Sequence, residues 1–283
     1  MRISFVTDST SDIPAELAEE YDIEVVPAII NLNGESYEDG KGISREEFYT
    51  LLPRLTLLPT TSAPSVGSFQ ERYERQLRAG ATAVLSIHPP ESLSGIINAA
   101  RLAAVEFGDR VHVLDSGQVS LGLGFQVLMA AEQVQSGALL EETLARIQGI
   151  RQRIHLAAVL DSIEYVRRSG RVSWAKAMIG SVLRVQPLIS LQVGIVERLG
   201  QVRTRAQGVL RLSELLNAWE PLERLAVLHT NTEASAKHLL EEWRTRVPIP
   251  IWPIASSASN WRTTCPISIF STRSCAIGRK PSG

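Results

Sequence analysis

Hydroxyl side chains crowd the places where this sequence is expected to pass from strand to helix. Thr7-Asp8-Ser9-Thr10-Ser11-Asp12 follows a first apolar run, and Thr60-Thr61-Ser62 with Ser65 precedes a long amphipathic stretch. Ser92-Leu93-Ser94-Gly95 opens another such stretch, and Asp115-Ser116-Gly117 follows a further short apolar run. A single hydroxyl in such a position can cap its own helix by accepting from a free backbone N–H. Several gathered together, beside the positive ends of helices, make a site for an anionic group. Nucleophilic catalysis is the competing chemistry, because Asp8 beside Ser9, or Asp115 beside Ser116, pairs a carboxylate with a hydroxyl. A serine nucleophile needs a base within hydrogen-bond reach, and no recognisable motif supplies one. The histidines are scattered; His88 and His229 fall near strand ends, where an ordinary core or surface role is expected.

Other chemistries are excluded by spacing and charge. Gly122-Leu123-Gly124-Phe125-Gln126-Val127 lacks the third small residue of a dinucleotide loop and lies inside a helical pattern. Gly34 to Gly40-Lys41-Gly42 has one residue too many for a P-loop, and Gly42 stands where the magnesium-binding hydroxyl belongs. Neither Gly-x-Ser-x-Gly nor His-Glu-x-x-His occurs. With 29 basic against 30 acidic residues, the chain has no basic excess for nucleic acid. No apolar run is long enough to span a bilayer, and MRISFVTDST opens directly into a strand pattern, so a cytoplasmic protein is expected. The two cysteines, Cys265 and Cys275, cannot form a disulfide framework or a four-cysteine zinc site.

The elements that must position these groups alternate along the chain. A strand over 3–7 leads to a helix over 14–21 with Asp12 as its N-cap, then to one or two strands within 23–32 and a turn at Asn33-Gly34. Ser44 and Glu47 have capping-box spacing before a short helix, and a Pro-rich loop over 58–65 precedes a helix over 66–78. Strands over 81–87 and 111–114 alternate with helices over 93–106 and 121–135. This rhythm predicts an α/β fold whose parallel sheet is covered on both faces. After a helix over 139–151 the texture becomes α+β. A strand over 155–160, the basic segment Arg167-Arg168-Ser169-Gly170-Arg171 and a helix over 174–183 precede an antiparallel meander of 187–191, 194–198 and 201–204. A helix over 209–219, a strand over 224–229 and a helix over 234–246 complete the unit. The expected organisation is a domain over 1–155, a mixed-sheet domain over 156–254, and an atypical tail over 255–283. From Trp243 onward there are six basic residues and no acidic one, and Ile267-Ser268-Ile269-Phe270 is the longest strand-like run.

The order of Thr7 to Asp12, Thr61-Ser62-Ala63-Pro64-Ser65, Ser94-Gly95 and Asp115-Ser116 resembles the DegV family of bacterial fatty-acid-binding proteins. Ile163 through Arg171, and Pro187-Leu188-Ile189 with Arg203-Thr204-Arg205, look like later motifs of the same family. The resemblance covers about residues 1–250. It implies a two-domain carrier that holds one long-chain fatty acid, such as palmitate, stearate or oleate, between its domains. It also implies that the acid is presented to a fatty-acid kinase, which forms the acyl phosphate used in phospholipid synthesis. No catalytic residue, metal or other cofactor is implied, and a hydrolase or phosphotransferase remains the alternative. Carried over by position, Thr61, Ser62 and Ser94 match the hydroxyls around the carboxylate, and Arg171 and Arg203 match basic residues near the head group or facing the kinase. The family's Gly-His-x-Gly-Pro-Gly-like segment has no counterpart in the stretch from Ala255 to Cys265. This implies either a reading frame altered near residue 255 or a naturally divergent tail. Re-reading the coding DNA in the other two frames for that segment decides between them.

Overall fold

Buried runs of β-branched residues dictate the first layer. The computed structural model describes residues 2–176, 185–230, 233–244, 255–256 and 267–273. In chain order, β1 (Ile3–Asp8), α1 (Ala15–Glu20) and β2 (Ile23–Val26) are followed by β3 (Ile29–Leu32), β4 (Glu35–Glu38), α2 (Arg45–Leu51) and β5 (Thr60–Ser62). Next come α3 (Val66–Arg78), β6 (Ala83–His88), α4 (Ile96–Ala104), β7 (Val111–Asp115), α5 (Leu121–Gln135) and α6 (Leu140–Arg153). The remainder comprises β8 (Ile154–Val159), α7 (Glu164–Ser169), α8 (Ser173–Lys176), β9 (Gln186–Gln192), β10 (Ile195–Val202), α9 (Arg205–Trp219), β11 (Leu222–His229), α10 (Glu233–Arg244), β12 (Ala255–Ser256) and β13 (Ile267–Arg273). No helix among the described residues is long and apolar enough to cross a membrane.

The fold is α/β. β1 and β6 are buried at every position, as strands covered on both faces must be. They pair in parallel at the centre of a sheet ordered β2-β1-β6-β7. β1 connects outward to β2 on one side and β6 outward to β7 on the other, so the strand order reverses between β1 and β6. In open α/β sheets that reversal leaves a crevice beyond the carboxyl ends of the strands, where ligands bind. A small antiparallel sheet, β4-β3-β5, stands beside it, with the Asn33-Gly34 turn joining β3 to β4. The third sheet runs β10-β9-β8-β13-β11-β12 and is antiparallel except for the β11–β12 pair.

α5 is buried around most of its circumference because it lies between two sheets. It packs on β1 and β6 on one side and on β8 and β13 on the other. The large apolar cluster accordingly runs from Phe5 and Leu85 through Leu121 and Phe125 to Leu156 and Ile189. Two polar ties join the layers. Gly194, in the β9–β10 turn, donates its N–H to Gly117 O at 2.7 Å, and its carbonyl accepts the Ser92 hydroxyl at 3.0 Å. Gln118, fully buried, donates from Nε2 to Leu191 O at 3.2 Å and Ile154 O at 3.4 Å.

Several sequence expectations are corrected. Asp12 does not cap α1, which begins behind Pro14 with no side-chain cap; it closes the Ser9–Ser11 turn at φ 52° and accepts the Ser120 hydroxyl at 2.6 Å. The Pro-rich loop contains β5, held by pairing with β3. The predicted second and third strands of the meander are one strand, β10, carried past Arg198 and Gly200 by a register irregularity. α4 starts at Ile96 and gives way to a 3-10 turn after Ala104, and α9 starts at Arg205 because Thr204 accepts from Gln207 N at 3.2 Å. Residues 177–183 and 245–246, assigned to helix ends, lie outside the described residues. Residues 267–273, assigned to the atypical tail, form β13 between β8 and β11.

Gly117 is where two backbones meet. Its φ is 63°, and a Cβ there would stand 2.9 Å from Val193 Cα. Gly117→Ala is expected to lower stability by about 1–3 kcal/mol, from left-handed strain and loss of the Gly194 contact. Urea unfolding followed by far-UV circular dichroism should show a lower midpoint with an unchanged slope.

Candidate functional site

The crevice between β1 and β6 is lined by a saturated polar chain. Parallel register places Val6 opposite Ser86, so two residues further Asp8 meets His88. Asp8 Oδ2 lies 2.8 Å from His88 Nδ1, His88 Nε2 lies 2.6 Å from Ser86 Oγ, and Ser86 Oγ lies 2.8 Å from the Tyr73 hydroxyl. All four side chains have zero exposure. Burial pushes the Tyr73 phenol up, so it stays a protonated hydroxyl. Phe69 of α3 packs edge-on against the imidazole with ring centroids 5.1 Å apart. The other oxygen, Asp8 Oδ1, accepts from Thr10 N at 3.0 Å and from the Thr10 hydroxyl at 2.5 Å, which fixes the turn after β1.

Above this chain lies a cavity of about 130 Å³. Its apolar wall is Ala28, Ile30, Leu93, Ile96 and Val119, and its polar wall is Thr10, Asp39, Thr61, Ser62, Ser94 and Arg171. Ser62 accepts from Asn31 Nδ2 at 2.8 Å and Ser94 from Ile96 N at 3.3 Å. Each hydroxyl thus uses its oxygen within the protein and keeps its proton to donate. Gly170, at φ 71°, ends α7 in the left-handed conformation and sends the chain on to Arg171. Arg171 makes no ion pair with any described residue, and burial alone lowers its pKa from the ordinary arginine value. Neighbouring Arg167 and Arg168 are both held by Glu164. A half-desolvated guanidinium beside hydroxyl donors, with apolar walls behind, has the donors a carboxylate or similar anion needs, and Asp39 is the carboxylate in the same lining.

Four of the five residues singled out from sequence, Thr61, Ser62, Ser94 and Arg171, therefore line one cavity. Arg203 does not join them; it lies in a separate groove of about 470 Å³ with Gln201, Gln207, Arg211 and Glu214. Another concavity, of about 1170 Å³, carries Asp12, Glu16, Glu19, Asp22 and Glu24 against Lys41, a charge that suits no anion; Asp39 borders both this groove and the small cavity. Ser116 donates to Gln118 O and Asp115 accepts from Gly117 N, so these two hold a turn. Ser65 caps α3. The base beside a serine that motif reading missed is His88, on Ser86. Its sequence signal was Ser86 and His88 alternating on one face of a strand otherwise apolar.

A family model described as an uncharacterised protein of the DegV family matches residues 2–262. The chain belongs to the DegV family. A curated DegV domain-containing protein of Deinococcus radiodurans is 36% identical over 214 residues, covering 76% of each chain. Among solved structures, "Fatty Acid Binding of a DegV family Protein from Thermus thermophilus" superposes with a TM-score of 0.87 at 32% identity, covering 96% of this chain and 100% of that one. DegV of Bacillus subtilis, described as a fatty acid binding protein, has a TM-score of 0.85 at 29% identity and covers 96% and 99%. These two solved DegV proteins are described as fatty acid binding, and they share the fold of this chain. Among the described residues of this DegV chain, no group of three or more His, Cys, Asp or Glu is placed to hold a metal ion.

The pairing that leaves Arg171 to the cavity can be read by titration. Hydrogen bonds from Arg167 and Arg168 hold the Glu164 carboxyl down to about 2. The unfolded carboxyl titrates near about 4.3, so the pair's contribution is present above that pH and lost as pH falls through about 2. Because the group is partly exposed, the contribution stays below about 1 kcal/mol. Carbon-detected NMR should place the Glu164 midpoint near 2. A midpoint in the ordinary carboxylate range would mean that Arg167 or Arg168 is released.

Proposed function

We propose that this chain binds one long-chain fatty acid, such as palmitate, stearate or oleate, and presents it to a fatty-acid kinase for acyl-phosphate formation. The observation that carries the reading is Arg171, desolvated and without a carboxylate partner among the described residues, in one cavity with Thr61, Ser62 and Ser94. The carboxylate completes the ion pair, and the Ser62 and Ser94 hydroxyls donate to it. At about 130 Å³ the cavity takes the head group and the first carbons, being smaller than the roughly 300–1,000 Å³ of drug-sized sites. The apolar wall of Leu93, Ile96 and Val119 supports the start of the tail. At about 0.8 kcal/mol per buried CH₂, a sixteen-carbon chain offers on the order of 10 kcal/mol before association costs.

The reading makes the protein a carrier. Asp8, His88 and Ser86 have the spacing of an acid, base and nucleophile, yet all three are sealed from solvent, so no substrate reaches Ser86. Arg203 and Arg211, on the outer groove, then form the surface on which the kinase docks.

Arg171→Ala is expected to weaken palmitate binding by about 1.5–3 kcal/mol, and Ser94→Ala by about 1–3 kcal/mol, in isothermal titration calorimetry. Mass spectrometry of an organic extract of the purified protein should reveal an acyl chain. No co-purified lipid together with no uptake of palmitate or oleate would overturn the reading. Arg203→Ala should leave acyl binding unchanged and reduce acyl-phosphate formation when the kinase is supplied.

A further inference from the structure

The sealed chain from Tyr73 to Asp8 does nothing in the carrier reading, yet it ends on the wall of the cavity. Asp8 holds the turn Ser9–Ser11 through the Thr10 N–H and hydroxyl. That turn in turn holds two other stretches of the wall. Ser9 Oγ accepts from Ala28 N at 3.0 Å, and Thr10 O accepts from Ser120 N at 2.9 Å, next to Val119. Thr10, Ala28 and Val119 all line the cavity. One buried carboxylate therefore fixes three segments around the head group, and His88 occupies the remaining oxygen of that carboxylate.

We propose that Asp8 and His88 are positioning residues for head-group recognition: the imidazole locks the Asp8 carboxylate, and the carboxylate locks the turn that sets the distance from Thr10, Ala28 and Val119 to Arg171. The inference rests on the fatty-acid reading above. In a low-dielectric interior a fully satisfied hydrogen-bond chain is stiff, because every member loses a partner if one rotates. A head-group site must be held to a fraction of an ångström, whereas an apolar tail tolerates repacking. The effect of loosening this chain therefore falls chiefly on the carboxylate, because the apolar wall, Ala28 and Val119 included, can repack around the tail.

The two imidazole nitrogens give a paired test. In His88→Asn the amide takes the place of Nδ1 and keeps the bond to Asp8; in His88→Gln it takes the place of Nε2 and keeps the bond to Ser86. Affinities of palmitic acid and of hexadecanol, which shares the tail but lacks the carboxylate, are measured for each variant well below its melting temperature. His88→Gln should lose roughly tenfold in acid affinity with alcohol affinity unchanged, the size of one net hydrogen bond to a charged group. His88→Asn should keep the wild-type ratio of acid to alcohol affinity, although both variants melt lower. Equal ratios in the two variants, or parallel losses for acid and alcohol, would overturn the inference and leave the chain a purely structural element. If His88→Gln does not fold, Ser9→Ala carries the test, since it cuts the link to Ala28 from outside the cavity; an unchanged ratio there is equally fatal. Wild-type protein that binds neither compound would instead refute the fatty-acid reading itself.

Discussion

Parallel pairing of β1 with β6 is the constraint from which the polar side of this molecule follows. It sets Asp8 against His88 at the point where the strand order reverses. Buried on both faces, these strands favour polar side chains whose hydrogen-bonding groups find partners, as those of Asp8, Ser86 and His88 do. α3 supplies the last partners, Tyr73 for Ser86 and the edge of Phe69 for the imidazole. Once that chain is satisfied, the loops after β1 and β6 have little freedom, and the crevice they enclose has a fixed shape.

Charge then decides which concavity can take which ligand. One broad groove is rimmed by five carboxylates besides Asp39, whereas the small cavity has only Arg171 and Asp39 as its charged lining. Arg167 and Arg168 are both tied to the one carboxylate of Glu164, whereas Arg171 faces the hydroxyls of the cavity. The burial of Arg171 is an energetic cost that an entering anion, in the proposed reading, would offset. The seam that admits this arginine is tied at Gly194 and Gln118, which keeps the two halves of the cavity in register.

Much of this was legible in the sequence, for identifiable reasons. α3 begins and ends where its amphipathic pattern placed it, behind Ser65, and α5 where its long apolar run did. The hydroxyl clusters were visible because parallel topology gathers strand-to-helix turns at one edge. β5 was missed because three polar residues gain strand geometry only by pairing with β3, a tertiary effect with no local signature. Arg171 and Arg203 are equally basic in sequence; burial separates them, and burial depends on what crosses the seam. The role of Asp12 was misjudged for a similar reason, since its partner Ser120 lies far along the chain. Asp8 and His88 are eighty positions apart, and their meeting follows from register rather than from any motif.

The placement of β13 between β8 and β11 bears on the order in which the protein can assemble. The parallel sheet has all four of its strands once residue 115 is available, and its pairings are complete without anything downstream. The third sheet is different: β8 and β11 touch no common partner until residues 267–273 arrive to pair with both. During synthesis, the half that carries the hydroxyls can therefore consolidate while the other half still presents two unpaired strand edges. Those edges are templates for mispairing, and the late strand is what closes them.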